Sequence, residues 1–591
     1  AAAFKAGLVP TNVDTQTYIF PAAVLAQRNM NTNVTQHPVH GPLMNEALTA
    51  VPSISLVFPG DIDRVEKQAS VEFINFEAGS TQMDIGMERY GNYHTDFSKR
   101  SIRMNFRSEY GPAKLRFPVF DGHEYESIPP ANQFNSIDLR SGNHDMQARG
   151  AYMSNRFTDD TMLDMGNIAP HGRFVHVYLN GQYWGQYHLR ERWNASMFSE
   201  YFGGEKEDYE AVNANNTGGD FLSGVVYDGT GRYWNQARSL VNRPNPFAAI
   251  RRYIDIPNLI DFMIVWSSGS SESEFRSAGA VPLGVPFKFF IKDADGWLRG
   301  AGSGRETHQG PLGLMTRLRV ENDPDYKILL ADRIHKHFFN NGALTPGAAI
   351  SRLQERVDEI EVSFLAESAR WNMQSPTSWR SYQTNLMRNT LRRLSRDMVA
   401  KYRNAGLYPD TPAPTFAPHG GALPGGTVRL TAPGEIYYTI DGTDPRAPGG
   451  AVSDTALLHD GSLILNTVTN LRARTRSNGQ WSALNEALFV PEQNYRNLVV
   501  SELMYNPGPA SASEIAAGFE DSEDFEFLEL LNTGQTTVSL EGLHFAEGIE
   551  FDFNSGSVTS LGPGEHLLLV EDRAAFEFRY GTGRPVTGQY T

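Results

Sequence analysis

Two aspartates, Asp293 and Asp295, stand two residues apart in the segment KDADG, directly after the apolar run at 287–291. Carboxylates at that spacing on a strand end can both reach one divalent cation if the backbone turns there. The same segment is also ordinary turn chemistry, with Asp and Gly in favoured places. Upstream, GSSESEFRSAG (269–279) places Glu272 and Glu274 near the pair. An EF-hand reading of DADG fails, because the fifth position is Trp297 and the twelfth is Gly304, where oxygen ligands are required. His335 and His337 are two apart on a predicted helix, so they point to different faces and do not share a metal. There is no phosphate loop ending in Gly-Lys-Ser/Thr and no His-Glu-x-x-His pair. GAGSG (300–304) is glycine-rich but opens no clear helix.

The elements that must hold these residues read as a mixture. PSISLVF and GRFVHVYLNGQYWGQYHL have strand character, and Asn180-Gly181 in the second is a two-residue hairpin signal. DYKILLADRIHKHFFNNG has helical apolar spacing and stops at Asn341-Gly342. Thr345-Pro346 then predicts a cap and first helical position, with Ile350, Leu353, Val357, Ile360 and Phe364 on one face. Proline density rises over 406–418, GLYPDTPAPTFAP, which reads as a linker. Beyond it the chain turns to short strands and tight turns, first in GEIYYTIDGTDPR and then in LVVSELMYNPG, DFEFLELLNTG, TTVSLEGLHF and EHLLLVED.

At 591 residues the chain is too long for one core and predicts several domains. Hydrophobic residues at 40% are enough for packed cores. A formal net charge of −16 argues against a nucleic-acid backbone as partner, which calls for a basic face. The chain has no cysteine, which excludes disulfides and thiolate zinc sites. No apolar stretch has the length of a transmembrane helix. The first residues, AAAFKAGLVP, lack the basic and apolar regions of a signal peptide. Asn, Gly, Thr and aromatic content without cysteine suits an exported bacterial protein.

Three separated blocks carry a resemblance: HTDFSKRSIRMNFRSEYGPAKLRFPVF (94–120), APHGRFVHVYLNGQYWGQYHLRERWN (169–194) and PFKFFIKDAD (286–295). Together they resemble the CotH kinase family, over about residues 17–405. The resemblance implies an α+β atypical protein-kinase-like domain at 1–405 that uses ATP and Mg2+ or Mn2+ to phosphorylate Ser or Thr of proteins. It gives Lys99 as the phosphate-contacting lysine and Glu191 as the acidic residue that supports Lys99 or contacts the nucleotide. It gives Asp293 and Asp295 as the metal site, and LRSGNHDM (139–146) as a block bringing Arg140, Asn143 and Asp145 to the same cleft. The catalytic carboxylate position falls nearest Glu272, or on Glu274, the basic position on Arg276 and the amide position on Ser277. The sequence departs from the family where Lys292 replaces a Trp, where Ser277 replaces an Asn and where ERYGNYH keeps only Arg89 and Gly91 of an Arg-Gly-x-Ser element.

GEIYYTIDGTDP resembles a chitobiase/β-hexosaminidase C-terminal module, placed at 406–492, and VVSELMYNP with FEFLELLNTG resembles a lamin-tail domain at 493–591. Both imply small all-β sandwiches. The lamin-tail pattern normally continues past GQYT, so the chain is expected to stop inside that domain. Two functions follow from these resemblances. One is an exported or cell-surface kinase acting on Ser or Thr of surface or extracellular proteins. The other is a non-catalytic surface scaffold, with the β-modules contacting polysaccharide, cell envelope or a larger assembly. Carbohydrate processing is a weaker third idea, since no hydrolase domain is present.

Overall fold

The computed structural model describes residues 5–7, 15–91, 98–125, 128–146, 151–214, 223–269, 274–304, 309–423, 426–465, 467–491, 495–535, 537–545 and 547–590. Glu272, the nearest candidate for the catalytic carboxylate, lies outside them. The chain is a mixed α/β protein of two compact units, Ala1–Asp410 and Thr411–Thr591.

The first unit is built on seven strands: β1 (Ser53–Val57), β2 (Lys67–Phe76), β3 (Gly79–Arg89), β4 (Ile102–Asn105), β5 (Ser136–Arg140), β6 (Gly172–Leu179) and β7 (Gln182–Glu191). They close into a barrel in the order β1-β2-β3-β4-β5-β7-β6, antiparallel except where β6 meets β1. The alternation of each strand sends one set of side chains inward. Ile54, Val71, Ile85, Met104, Ile137, Leu139, Val175 and Leu189 fill the interior. The Asn180-Gly181 hairpin forms as predicted, with both residues at positive φ, as a type I′ turn needs.

A second sheet, β11-β10-β8-β9, is made from β8 (Glu210–Asn213), β9 (Val225–Asp228), β10 (Glu274–Ala280) and β11 (Val285–Lys292). Six helices carry the rest of the argument: α1 (Ser154–Asp164), α2 (Ala195–Phe202), α3 (Ile256–Ser268), α4 (Pro324–Phe338), α5 (Pro346–Ile360) and α6 (Phe364–Trp371). The α4 start follows local rules. Asp323 accepts from the amides of Asp325 and Tyr326 at 2.9 Å, and proline occupies the first helical position. The predicted face of α5 is broken before its last member. Leu353, Val357 and Ile360 are buried on α5, but Phe364 opens α6. Ser363 sits at the break, accepting from the Gln186 side chain of β7 and donating to the Ile360 carbonyl. His335 stacks on Phe339 and bonds Tyr408, whereas His337 bonds Asp261, so the two do diverge.

The second unit is strand-rich. Thr415–Ala417, Thr427–Thr431 and Ser462–Ile464 form one sheet, and Thr469–Ser477 is central in another. Phe416, Val428 and Leu430 of the first share a cluster with Leu471, Ala473 and Phe489 of the second. Farther on, Leu498–Met504, Phe527–Asn532, His566–Val570 and Val586–Gln589 make a four-stranded sheet. Two helices accompany it, Ala512–Ala517 and Arg573–Tyr580. The second buries Phe576 against Phe527, so EDRAAFEFRYG is helical where only strands were expected.

Candidate functional site

Lys99 stands three residues before β4 and is wholly buried. Its Nζ reaches Glu367 of α6 at 2.5 Å and the Gln186 carbonyl at 2.7 Å, between the rings of Tyr187 and Tyr152. Burial draws its pKa down against the pull of Glu367. Burial likewise raises Glu367, against Lys99 and the Gln186 amide. The supporting carboxylate of Lys99 is therefore Glu367 and not Glu191. With no exposed surface, Lys99 does not present its ammonium to a ligand in this conformation.

Glu191 closes β7 in a separate buried cluster. It accepts from the His171 amide at 2.8 Å and from Tyr201 of α2 at 2.8 and 3.0 Å, and lies 3.1 Å from His171 Nδ1. Neither of the arginines beside it, Arg190 or Arg192, is its partner: Arg190 pairs with Asp159, and Arg192 donates to Ser136. The reason is strand parity. Glu191 shares the side of Tyr187 and Leu189, while Arg190 faces the other way.

The Asp-x-Asp pair sits on a turn surrounded by polar side chains of other elements. The turn after β11 puts Asp293 at φ 55° with its carboxylate partly exposed, while Asp295 is buried. Asn155 of α1 clamps the turn, accepting from the Ala294 amide at 3.1 Å and donating to Asp295. Arg140, at the end of β5, donates to Asp295 at 2.7 Å and lies 3.9 Å from Asp293. His144 Nδ1 is 3.0 Å from the second oxygen of Asp295. Burial would raise the Asp295 carboxyl, but Arg140 and His144 outweigh it and hold it well below the usual range.

Asp145 has the opposite balance. It is buried, accepts the Ser154 amide at 2.9 Å through Oδ2, and leaves Oδ1 without a hydrogen-bond partner. Burial first, and then the charge of Asp295, push its pKa well above the carboxylate range. Asn143 donates to the Lys99 carbonyl at 2.9 Å, tying this loop to the lysine.

The departures from the family pattern also find places. Lys292 pairs with Glu274 across the β10–β11 ladder and lies 3.9 Å from Asp293. Glu274 is thus engaged by Lys292, while burial, aided by Asp293, raises its pKa against that cation. Ser277 is buried, with its hydroxyl unpartnered.

Asp293 and Asp295 offer hard carboxylate oxygens of the type that suits magnesium, and Asp145 lies near enough to Asp295 for their charges to act. The buried, unpartnered oxygen of Asp145 fits such an ion. Among the described residues no three Asp, Glu or His side chains are grouped as a ready cage. Arg140 and Lys292 supply much of the compensating charge instead. His144, Asn155 and Glu367 carried no signal in the sequence, because the contacts that recruit them span 151, 140 and 268 residues.

Residues 88–268 match the family model described as CotH kinase protein. The match takes in Lys99, Arg140, Asp145 and Glu191 and ends before the Asp293–Asp295 turn. No curated protein matches the chain. Over residues 88–268, then, this chain is similar to the CotH kinase proteins.

Proposed function

We propose that the first unit is a CotH-like protein kinase that transfers phosphate from ATP to Ser or Thr of surface or extracellular proteins. The observation that carries this reading is the convergence of Arg140, Asp145 and Asn155 on the Asp293–Asp295 turn. Two other stretches of sequence, 139–146 and the start of α1, meet there around the paired carboxylates. Asp293 and Asp295, with Asp145, would hold Mg2+ or Mn2+, which supplies charge neutralisation at the transferring phosphate. Arg140 and Lys292, rather than the enclosed Lys99, are the cations beside the turn. The strand-rich second unit, with its chitobiase-like and lamin-tail-like segments, would attach the enzyme to a cell envelope, polysaccharide or larger assembly.

A second reading is a non-catalytic scaffold at a cell surface. The burial of Lys99 against Glu367 and the occupation of Asp295 by Arg140 favour it. The test is calorimetric titration of ATP with Mg2+ or Mn2+ into the wild-type chain and Asp293→Ala. Metal-dependent binding that the variant loses is expected of the kinase. Absence of binding with either metal would leave the scaffold.

A further inference from the structure

The outer face of β5 continues past the Asp293–Asp295 turn and becomes a cationic strip. Ser136, Asp138 and Arg140 alternate on that face, with Ile137 and Leu139 turned into the barrel core. Arg103 is engaged by carboxylates, meeting Asp138 at 2.9 Å and Glu88 at 3.3 Å. Arg192 and Arg276 are not. Arg192 follows β7 and donates only a long bond, 3.4 Å, to the Ser136 hydroxyl. Arg276, on β10, packs its guanidinium over the Trp193 ring with 5.8 Å to the centroid. Among the described residues neither arginine has an ion-pair partner, and both are half-buried.

The two lie near enough to Asp138 and to each other for their charges to act. Burial and the neighbouring Arg103 lower Arg192 against the pull of Asp138, and Arg276 acts in the same direction as Arg103. Asp138 is held down by Arg103, then Arg192 and Arg276, against its burial. The floor is rigid: Trp193 packs on Phe290 at 3.9 Å, and Tyr227 donates to the Trp193 carbonyl at 3.1 Å. A protein of net charge −16 thus keeps two half-buried guanidiniums together without carboxylates of their own, a disposition that suits an incoming anion.

We propose that Arg192 and Arg276 form a subsite for an acidic side chain of the polypeptide acceptor, two to four residues from the acceptor hydroxyl. This inference rests on the kinase reading. Its spacing comes from the strands. Arg276 is two residues along β10 from Glu274, the partner of Lys292 beside Asp293, and Ser136 is four along β5 from Arg140. At ~3.3 Å per residue these are offsets of about 7 and 13 Å. Consecutive phosphorus atoms of a nucleotide are separated by one bridging oxygen, so a triphosphate seated at the Asp293–Asp295 turn is too short to place a phosphate at Arg192. An extended peptide covers the same span in two to four residues.

Fluorescent Ser-containing peptides carrying Asp, Ala or Lys three residues to either side of the serine test this, with anisotropy read on the full chain at low salt. The Asp peptide should bind roughly tenfold tighter than the Ala peptide, equivalent to about 1.4 kcal/mol. The preference should vanish in Arg192→Ala/Arg276→Ala, survive in Arg276→Lys and invert toward the Lys peptide in Arg276→Glu. Equal binding of all three peptides by the wild type, or a preference that survives the double variant, overturns the subsite. Titration of ADP with Mg2+ into the same samples separates the two levels. Nucleotide binding with no peptide preference removes the subsite alone. A preference for the Asp peptide without nucleotide binding removes the kinase reading, and with it the acceptor role, leaving an acidic-peptide surface.

Discussion

Lys99 and Glu367 define the residue scale. Both side chains have no exposed surface and meet at 2.5 Å. A buried pair of this kind repays its desolvation only while both members are present. Lys99→Met alone leaves an uncompensated carboxylate, and Glu367→Gln alone leaves an uncompensated ammonium. Each single change should cost about 3–5 kcal/mol, whereas Lys99→Met/Glu367→Leu should recover much of that loss. Chemical denaturation of the four proteins as a double-mutant cycle checks it. Additive losses would mean that the two charges do not depend on one another. Asp145 and Asp295 make the complementary point, since similar carboxyls in one neighbourhood are shifted in opposite directions. Arg140 and His144 stand against Asp295, while Asp145 meets burial and its neighbour's charge.

At the scale of elements, the approach of α6 to the barrel depends on an irregularity in β7. The β6–β7 ladder shifts register after Val177, opposite Gly185, which takes φ +119°. That glycine admits Glu367 to the Gln186 amide at 2.6 Å. A Cβ at 185 would lie 2.6 Å from Glu367 Oε2 and from Trp371 Nε1, closer than side-chain atoms pack. Gly185→Ala should therefore destabilise the first unit by about 2 kcal/mol or more, from strain and loss of the Glu367 contacts. Gly181→Ala, on the exposed hairpin tip, meets nothing within 4 Å and should cost less, through φ alone. Urea midpoints of the two variants compare them, and equal losses would contradict the role assigned to the bulge. A second link at this scale is Asp160 of α1, held by Arg156 of the same helix and Arg356 of α5, which ties α5 to the helix that carries Asn155.

For the whole molecule, the contacts divide at residue 410, so the candidate site belongs entirely to the first unit. Calorimetry of the full chain should resolve two transitions. Residues 411–591 expressed alone should reproduce one of them and bind neither ATP nor the acidic peptide. A single transition in the full chain, absent from the fragment, would mean that the units do not fold independently. The lack of cysteine predicts that reductant moves neither transition.

Much of this arrangement was legible in the chain. The Asn180-Gly181 turn, the proline-capped α4 and α5 and the proline-rich stretch near 410 are set by backbone sterics and local hydrogen bonds, which act over a few residues and leave a mark in the sequence. Asp293 and Asp295 were likewise visible, because a strand followed by Asp-x-Asp-Gly turns through local chemistry. The partners were not. Which carboxylate meets Lys99, which side of β7 Glu191 takes and what neutralises Asp295 depend on barrel closure, strand parity and packing of α1 and α6 against the strands. The contacts of Lys99 and Asp295 link positions more than a hundred residues apart, and side chains with no common local pattern acquire shared charge balance only when the tertiary fold brings them within a few ångströms.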